Sequence, residues 1–288
     1  MSSAQRQYIL QGRKKVRGWF YRVDAEFFFL LTDYQNRNAL DGSVVEIGLH
    51  HGQSFIALCL SLREGQRAYG IDIFEQQSLN GDRSGHGDRG RVERNLRAAG
   101  VDLSAVVLDG RPSGSVTPAD ILGTVGAARL FSIDGGHQRE VVCEDLALAE
   151  KTLAQHGVVA LDDFLRPEWP DVSAGYFAWF AQRSRPIVPF AFGFNKLYLC
   201  YQSYLARYQE LIASSEFLRP FLCKHCSFGG SQIPVYQKFL QPDSQPQERW
   251  LEYLKLYHPD FYATCVALRR VLRRRREPRR TAARDALH

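Results

Sequence analysis

Four side chains capable of metal binding and proton transfer follow two apolar segments near the middle of the chain. Asp134 ends the first segment, His137 comes three residues later, and Asp162 and Asp163 end the second. If both segments are neighbouring parallel strands, about 4.8 Å apart, the three carboxylates could converge. Carboxylate oxygens suit Mg²⁺, Ca²⁺ or Mn²⁺, and a neutral imidazole beside a metal-held hydroxyl could accept its proton. The alternative is structural, with the aspartate pair capping a turn and His137 capping a helix.

These residues lie within a regular alternation of short apolar strands and helices. Strands are predicted at 43–48, 67–74, 104–110, 128–134 and 158–164, and helices at 54–64, 88–100 and 139–157. Nearly continuous apolar strands separated by helices are typical of a parallel sheet covered on both faces. Two more strands are predicted at 186–194 and 195–202. In such sheets, ligands bind at the carboxyl ends of the strands, where all four side chains are expected.

The first strand leads into a glycine-containing loop, "VVEIGLHHGQS". Glu46 ends the strand, and Gly48 and Gly52 flank the loop, where glycine lets the backbone approach a ligand. The loop is neither a G-x-G-x-x-G motif nor a P-loop. Asp72 ends the next strand, where an acid can accept both hydroxyls of a ribose. Taken singly, these features also fit a plain strand-to-helix turn and a solvated loop acid.

Composition bounds the remaining possibilities. The chain has 288 residues, of which 45% are hydrophobic and 24% charged, as in ordinary soluble proteins. The net charge of +6 comes from the C-terminal end, since 269–284 contains nine arginines and one acid. A specific nucleic-acid-binding fold is therefore not predicted. No apolar segment reaches the roughly 18 residues of a membrane span, and no secretory signal is recognised, so we expect a cytoplasmic protein with reduced cysteines.

Other motifs leave alternatives open. The glycine-rich loop 80–91 is either a lid over the site or a solvated loop, and His50 and His51 are expected to be exposed rather than in contact with ligand. Cys223 and Cys226 lack the further ligands of a zinc site, so ordinary cysteines are favoured. For the arginine-rich end, a solvated terminus is favoured over contact with an anionic membrane or an acidic partner.

The segments "VVEIGLHHGQS", "YGIDIF", "SIDGGHQREVVCEDLALAEKTLAQHGVVALDDF" and "FNKLYL" resemble the class I S-adenosylmethionine-dependent methyltransferases. More narrowly, they resemble the metal-dependent O-methyltransferases that include cephalosporin-pathway and macrolide-sugar enzymes. The resemblance spans about residues 43–201. It implies a doubly wound, mostly parallel, seven-stranded α/β sheet of the Rossmann-like methyltransferase type. We expect N-terminal helices over 1–40, the cofactor-binding domain over 41–203, and a helical extension with a basic tail over 204–288.

The same resemblance implies roles for particular residues. Asp72 would hold the ribose of S-adenosylmethionine, His137 would be the general base, and the remaining positions divide between cofactor and metal. The implied cofactor-binding positions are Glu46, Gly48, Gly52, Ser54, Asp72 and Asp134, and the implied ligands of Mg²⁺ (or Mn²⁺) are Asp134, Asp162 and Asp163.

The acceptor implied by the resemblance is a hydroxyl of a sugar or secondary metabolite. In the similar catechol enzymes a lysine stands at the place of His137 and an asparagine at that of Asp163, which leads away from catechols. Trp169, Tyr176 and Trp179, with Phe180, would either line the acceptor pocket or belong to the core. Self-association of the chain is a further expectation.

Two other functional classes are alternatives to a methyltransferase. An oxidoreductase binding NAD or a nucleotide sugar would use a similar sheet, but the glycine loop lacks the G-x-G-x-x-G spacing. A non-catalytic methyltransferase-like module, tethered by its basic tail, would not need Asp134, His137, Asp162 and Asp163 together.

Overall fold

A computed structural model describes residues 3–236 and 246–276 of the chain. Within these described residues, nine strands form a single sheet. They are β1 (Ser43–Ile47), β2 (Ala68–Ile71), β3 (Val106–Asp109), β4 (Ala128–Ile133), β5 (Leu153–Leu161), β6 (Ile187–Phe192), β7 (Leu197–Tyr201), β8 (Leu222–Phe228) and β9 (Ser231–Tyr236). Their order across the sheet is β3-β2-β1-β4-β5-β7-β6-β9-β8, in which β1 to β5 are parallel and β7 is antiparallel to β5. The doubly wound α/β fold is confirmed, and the strand order reverses between β1 and β4.

Helices cover both faces of the sheet. They are α1 (Ser3–Leu10), α2 (Arg22–Arg37), α3 (Gln53–Cys59), α4 (Arg89–Ala98), α5 (Pro118–Val125), α6 (Arg139–Thr152), α7 (Pro170–Gln182), α8 (Leu205–Ala213), α9 (Pro246–Tyr257) and α10 (Pro259–Arg276). On one face, residues such as Phe28 of α2 and Phe55 of α3 form a buried cluster. On the other, Leu146 of α6 and Trp179 of α7 do so. Each such side chain stabilises the fold by about 1.5–3 kcal/mol.

The helix predicted to run from Arg139 to Gly157 ends earlier, at Thr152. Leu153 already pairs with Ala128 of β4, so the chain passes directly from α6 into β5. Gly157 lies inside that strand, where a Cβ atom would approach the Ala128 carbonyl oxygen to 2.8 Å. The glycine therefore permits an irregularity in the strand pairing rather than a helix end.

The C-terminal extension is not wholly helical, and the predicted count of seven strands is wrong. β8 and β9 form an antiparallel hairpin whose turn contains Gly229 and Gly230, both with positive φ. Val235 of β9 pairs with Phe192 of β6, so the hairpin lengthens the central sheet.

The arginine-rich end begins within α10, whose residues Leu268 and Leu272 are exposed. Residues 277–288 lie outside the described part, so the expectations about the tail stay predictions. Within the described ranges, no helix combines the length and apolar character needed to cross a membrane.

Candidate functional site

The loop after β1 and the loop after β4 touch each other through Gly48. This residue has φ +80°, and a Cβ atom on it would lie 1.7 Å from the carbonyl oxygen of Asp134. Only glycine fits such an approach without moving the backbone. Gly52, with φ +85°, caps the start of α3. The glycine spacing thus serves the close packing of two strand ends at the switch point of the sheet.

Asp72 fixes the shape of this loop from the end of β2. Its Oδ2 accepts hydrogen bonds from the backbone N–H groups of Leu49 (2.7 Å) and His50 (2.9 Å), and its Oδ1 accepts one from Phe74 (2.6 Å). Burial nevertheless raises the pKa of the Asp72 carboxyl. Oδ2 thus accepts two hydrogen bonds, but Oδ1 accepts only one and can accept a second, so Asp72 retains capacity for a ligand hydroxyl there.

A cavity of about 660 Å³ lies over the carboxyl ends of the central strands. Six of the predicted site residues line it, namely Gly48, Asp72, Asp134, His137, Asp162 and Asp163. Ser54 lines a smaller adjoining cavity of about 30 Å³ together with Lys196. Glu46 and Gly52 line neither of these two cavities. The strand ends therefore bring six of the predicted site residues to one cavity, whereas Glu46, Gly52 and Ser54 do not line it.

Asp134, His137 and Asp163 form the group that could hold a cation. One potential ligand atom from each lies within 4.8 Å of the other two. Asp163 has φ +53°, a left-handed conformation that is uncommon for aspartate. Its Oδ1 accepts a hydrogen bond from Asn195 Nδ2 at 2.7 Å, and its Oδ2 lies 3.3 Å from His137 Nε2.

Charge repulsion makes this group suited to a cation. Burial, followed by the nearby negative charge of Asp162, raises the pKa of Asp134 well above its usual range. Burial also opposes ionisation of Asp163, but hydrogen bonds from His137 and Asn195 outweigh it and lower the pKa of that carboxyl. A divalent ion would relieve the repulsion at Asp134, and the carboxylate oxygens of Asp134 and Asp163 fit Mg²⁺ or Mn²⁺.

Asp162 takes part in a different contact. Its Oδ2 accepts a hydrogen bond from Lys196 Nζ at 2.6 Å, and its Oδ1 accepts one from Asn195 Nδ2 at 2.6 Å. Lys196 is only 2% exposed, so the ion pair is buried. The structure therefore separates the predicted metal ligands, with Asp134 and Asp163 grouped beside His137 and Asp162 directed to Lys196.

Two carboxylates and an aromatic ring surround His137. Asp82 Oδ2 lies 2.6 Å from its Nδ1, and Trp169 stacks on the imidazole with ring centroids 4.0 Å apart and planes 11° from parallel. Burial lowers the pKa of His137, but the hydrogen bonds to Asp163 and Asp82 outweigh it and the pKa is raised. Trp169 thus contributes to the site, whereas Tyr176 and Trp179 belong to the core.

Several lining residues were not predicted from the sequence. The sequence alone assigns no function to Asp82, Asn195 or Lys196. Asn195 and Lys196 nevertheless lie in the segment "FNKLYL", which resembles the methyltransferases. Arg111, in the loop after β3, lines the cavity and pairs with Asp109 at 2.7 Å. Their common signal is position, because each follows or precedes a strand at the same edge of the sheet.

The two histidines of the glycine loop are not exposed, contrary to expectation. His51 is buried, and the half-buried His50 lines the cavity with its ring 5.0 Å from that of Trp19. Burial lowers the pKa of His50 to about 4, so its imidazole is neutral at physiological pH. A neutral, partly apolar ring at this place suits contact with an organic ligand.

Glu46 offers a test of the buried floor beneath the loop. Its carboxyl is 0% exposed and makes no hydrogen bond of normal geometry to any described residue. Burial raises its pKa from 4.5 to about 7. The folded state therefore holds this proton more tightly than the unfolded state. Below the unfolded pKa the carboxyl is protonated in both states, so its ionisation does not affect stability. As pH rises through the folded pKa, ionisation lowers the free energy of unfolding by up to about 2–3 kcal/mol.

Replacing Glu46 by glutamine is expected to remove this part of the pH dependence. In urea unfolding of the cofactor-free protein, the loss of stability between about pH 5 and about pH 8 should shrink by about 2–3 kcal/mol. The buried carboxyl of Asp145 also has its pKa raised to about 7, so it contributes to the remaining pH dependence in both the wild type and Glu46→Gln. An unchanged difference between the two pH values would contradict the assignment to Glu46.

Comparison with known proteins agrees with the geometry. Residues 45–164 match the family model described as a methyltransferase domain. The match begins in β1 and ends just after Asp163, so it includes the glycine loop, Asp72, Asp134 and His137. It confirms the resemblance to class I methyltransferases and speaks against the oxidoreductase alternative. A comparison with curated proteins gave no match.

Three solved methyltransferase structures show partial similarity to this chain. The O-methyltransferase NovP superimposes with a TM-score of 0.50 at 16% identity, over 61% of this chain and 79% of that one. CalS11, a TDP-rhamnose 3'-O-methyltransferase of calicheamicin biosynthesis, gives 0.48 at 16% identity, over 68% and 86%. TomG from Streptomyces achromogenes, in complex with S-adenosylmethionine, gives 0.43 at 18% identity, over 68% and 88%. At these identities, the likeness to NovP supports the fold.

Proposed function

We propose that this chain, whose residues 45–164 match the methyltransferase-domain family, transfers a methyl group from S-adenosylmethionine to a hydroxyl of a small molecule. The observation that carries the proposal is the group Asp134, His137 and Asp163, which lies in the same cavity as Gly48 and Asp72. Asp72, suited to hold a ribose, follows β2, whereas the group suited to deprotonate a hydroxyl follows β4 and β5, on the other side of β1.

The chain's own residues would divide the work by position. Gly48 lets the loops after β1 and β4 pack together beneath the cavity, and Asp72 offers the remaining acceptor position on its Oδ1 to a ribose hydroxyl. S-adenosylmethionine supplies a methyl group already made electrophilic by its sulfonium, so the protein mainly aligns the acceptor. His137 would accept the proton of the acceptor hydroxyl at Nε2, on the side of the ring that faces Asp163.

A divalent cation would fit beside His137. Asp134 and Asp163 would hold Mg²⁺ or Mn²⁺, since hard cations prefer carboxylate oxygens and His137 is then left for proton transfer. When bound, such an ion lowers the pKa of an oxygen that it contacts. Asp162 would support the site from outside by keeping Lys196 and Asn195 in place.

The residues that line the cavity suit a polar, ring-shaped acceptor. Trp169 and Tyr21 provide aromatic surface, and Asn80, Gln138 and Arg166 provide polar groups. Sugars are bound by such a combination of ring faces and hydrogen-bonding side chains. We therefore propose a sugar or a secondary metabolite with an aliphatic hydroxyl as the acceptor class.

Calorimetric titration tests the proposal. S-adenosylmethionine is expected to bind the purified protein, and Mn²⁺ titrated into that complex is expected to bind once. Asp163→Asn should weaken Mn²⁺ binding by roughly tenfold or more, because a ligand is lost. Asp162→Asn, the same change one residue away, should weaken Mn²⁺ binding less than Asp163→Asn, because Asp162 supports the site through Lys196 and Asn195 and is not proposed to contact the ion.

Each result has a distinct meaning. Absence of S-adenosylmethionine binding would overturn the proposed activity. Cofactor binding without Mn²⁺ binding would retain the methyltransferase and remove the metal. A larger loss in Asp162→Asn than in Asp163→Asn would restore the ligand set predicted from the sequence. With the cofactor site established, a screen of sugar and polyketide hydroxyls with radiolabelled S-adenosylmethionine would identify the acceptor.

A further inference from the structure

The loop between β2 and α4 reaches across the cavity to His137. Within it, Asn80 Nδ2 donates to the carbonyl oxygens of Ser84 (2.6 Å) and Gly85 (3.3 Å), which closes the loop on itself. Gly81 lies against the Gln138 side chain, where a Cβ atom would approach Nε2 to 3.0 Å. The loop therefore has a defined shape that holds Asp82 against the start of α6.

Both carboxylate oxygens of Asp82 are engaged. Oδ1 accepts from the backbone N–H of Ser84 (2.8 Å) and from its hydroxyl (2.6 Å). Oδ2 accepts from the backbone N–H of His137 (3.1 Å) and lies 2.6 Å from its Nδ1. The side chain of Asp82 is only 10% exposed. Four contacts to two residues leave Asp82 little freedom, so it acts as a fixed acceptor beside the imidazole.

The two carboxylates at His137 are not equivalent. Asp82 lies 2.6 Å from Nδ1, whereas Asp163 lies 3.3 Å from Nε2. A neutral imidazole carries one proton, and the shorter contact to an ionised acceptor stabilises it more strongly. Trp169, stacked at 4.0 Å, limits rotation of the ring. The geometry therefore favours the tautomer with the proton on Nδ1 and the lone pair of Nε2 turned towards Asp163.

We propose that Asp82 is the positioning residue of His137, holding its imidazole in the Nδ1–H tautomer with Nε2 free to accept a proton. The significance of this role for methyl transfer rests on the proposed function, since Nε2 faces the cation-binding group. Asp82 touches neither reacting atom, and it acts through the orientation and tautomer of His137. This resembles the way in which a buried aspartate orients the base of a catalytic triad.

The test is a ¹⁵N NMR measurement of the imidazole nitrogens on the metal-free, cofactor-free protein. The His137 signals are assigned by their loss in His137→Gln, and spectra are recorded at a pH above the titration of this ring. The wild type is expected to show the Nδ1–H tautomer. Asp82→Ala is expected to shift the ring to Nε2–H, which Asp163 then stabilises. Asp88→Asn, which removes a carboxylate from the same loop while keeping a good helix cap, is expected to match the wild type.

Either of two results would overturn the proposal. One is a wild-type ring with its proton on Nε2, and the other is the same tautomer in wild type and Asp82→Ala. Should the alanine variant not fold, Asp82→Asn provides the same readout, because the amide keeps the shape of the carboxylate without its charge. A fall in the Nδ1–H population would then support the role, and an unchanged population would refute it.

Activity separates this proposal from the proposed function. With an acceptor in hand, Asp82→Ala should lower kcat by roughly 10²-fold, near the lower limit for general-base contributions, while KM for S-adenosylmethionine is unchanged. A loss confined to KM would contradict a positioning role. If S-adenosylmethionine fails to bind while the tautomer result is as expected, the proposed function is lost but the positioning of His137 by Asp82 stands.

Discussion

Methionine in place of Lys196 is expected to lower the free energy of unfolding by about 3–5 kcal/mol, because it leaves the buried carboxylate of Asp162 without its partner. Burial lowers the pKa of Lys196, but Asp162 and Asp134 outweigh it and the pKa is raised, so the ammonium is charged in the folded protein. Methionine keeps most of the side-chain volume, so the loss reports the charge rather than a cavity. Urea unfolding followed by tryptophan fluorescence and by circular dichroism measures it.

Two further proteins make the Lys196 experiment specific. Lys151→Met changes an exposed lysine at the end of α6 and should alter stability by no more than about 0.5 kcal/mol. The double variant with Lys196→Met and Asp162→Asn removes both charges and should recover a large part of the loss, as expected for a coupled pair. If Lys196→Met costs no more than Lys151→Met, the pair does not stabilise the floor of the site.

The place of the candidate site could be predicted from the sequence because parallel strands align their carboxyl ends. Ile47, Ile133 and Leu161 pair directly across β1, β4 and β5. Asp134 and the aspartate pair follow these residues and must therefore meet at one edge of the sheet. Strand periodicity and the order of strands along the chain indicate which residues follow the strand ends. The sequence alone therefore predicts that Asp134, His137 and Asp163 lie near one another.

The different roles of two adjacent aspartates depend on strand pairing that no local pattern shows. Leu161 of β5 pairs antiparallel with Leu197 of β7. Asp162 follows Leu161 and Lys196 precedes Leu197, so the antiparallel pairing places Asp162 beside Lys196. The positive φ of Asp163 then turns the next side chain towards His137 instead. Knowing the register of β7 would have been enough to predict the ion pair.

Asp82 was missed for a related reason. It lies in a loop without periodicity and contacts a residue 55 positions away. Nothing in its immediate neighbours distinguishes it from Asp88, which caps a helix in the same loop. The hairpin of β8 and β9 was missed because its strand β8 is mostly exposed and lacks an apolar run. In both cases the contacts that define the feature form in the folded chain and are not indicated by the local sequence pattern.

Glutamine in place of His137 is expected to reduce methyl transfer by about 10²–10⁴-fold, the usual contribution of a general base. The imidazole lies between Asp82 and Asp163 at the cation-binding group, and the glutamine amide cannot accept a proton there. Binding of S-adenosylmethionine should be retained, because Asp72, proposed to hold its ribose, follows β2, which β1 separates from β4 and His137. Single-turnover kinetics with saturating cofactor measures the chemical step separately from binding.

His86→Gln is the matched control for this substitution. His86 is an exposed histidine in the loop that carries Asp82, so the same chemical change there should leave the rate at wild-type values. Equal rates in His137→Gln and wild type would show that another group accepts the proton, and the nearest candidate is then Asp163. Loss of cofactor binding together with the rate would instead indicate that His137 holds the site in shape. A selective loss of the chemical step, with binding intact, is the result that a proton acceptor at Nε2 requires.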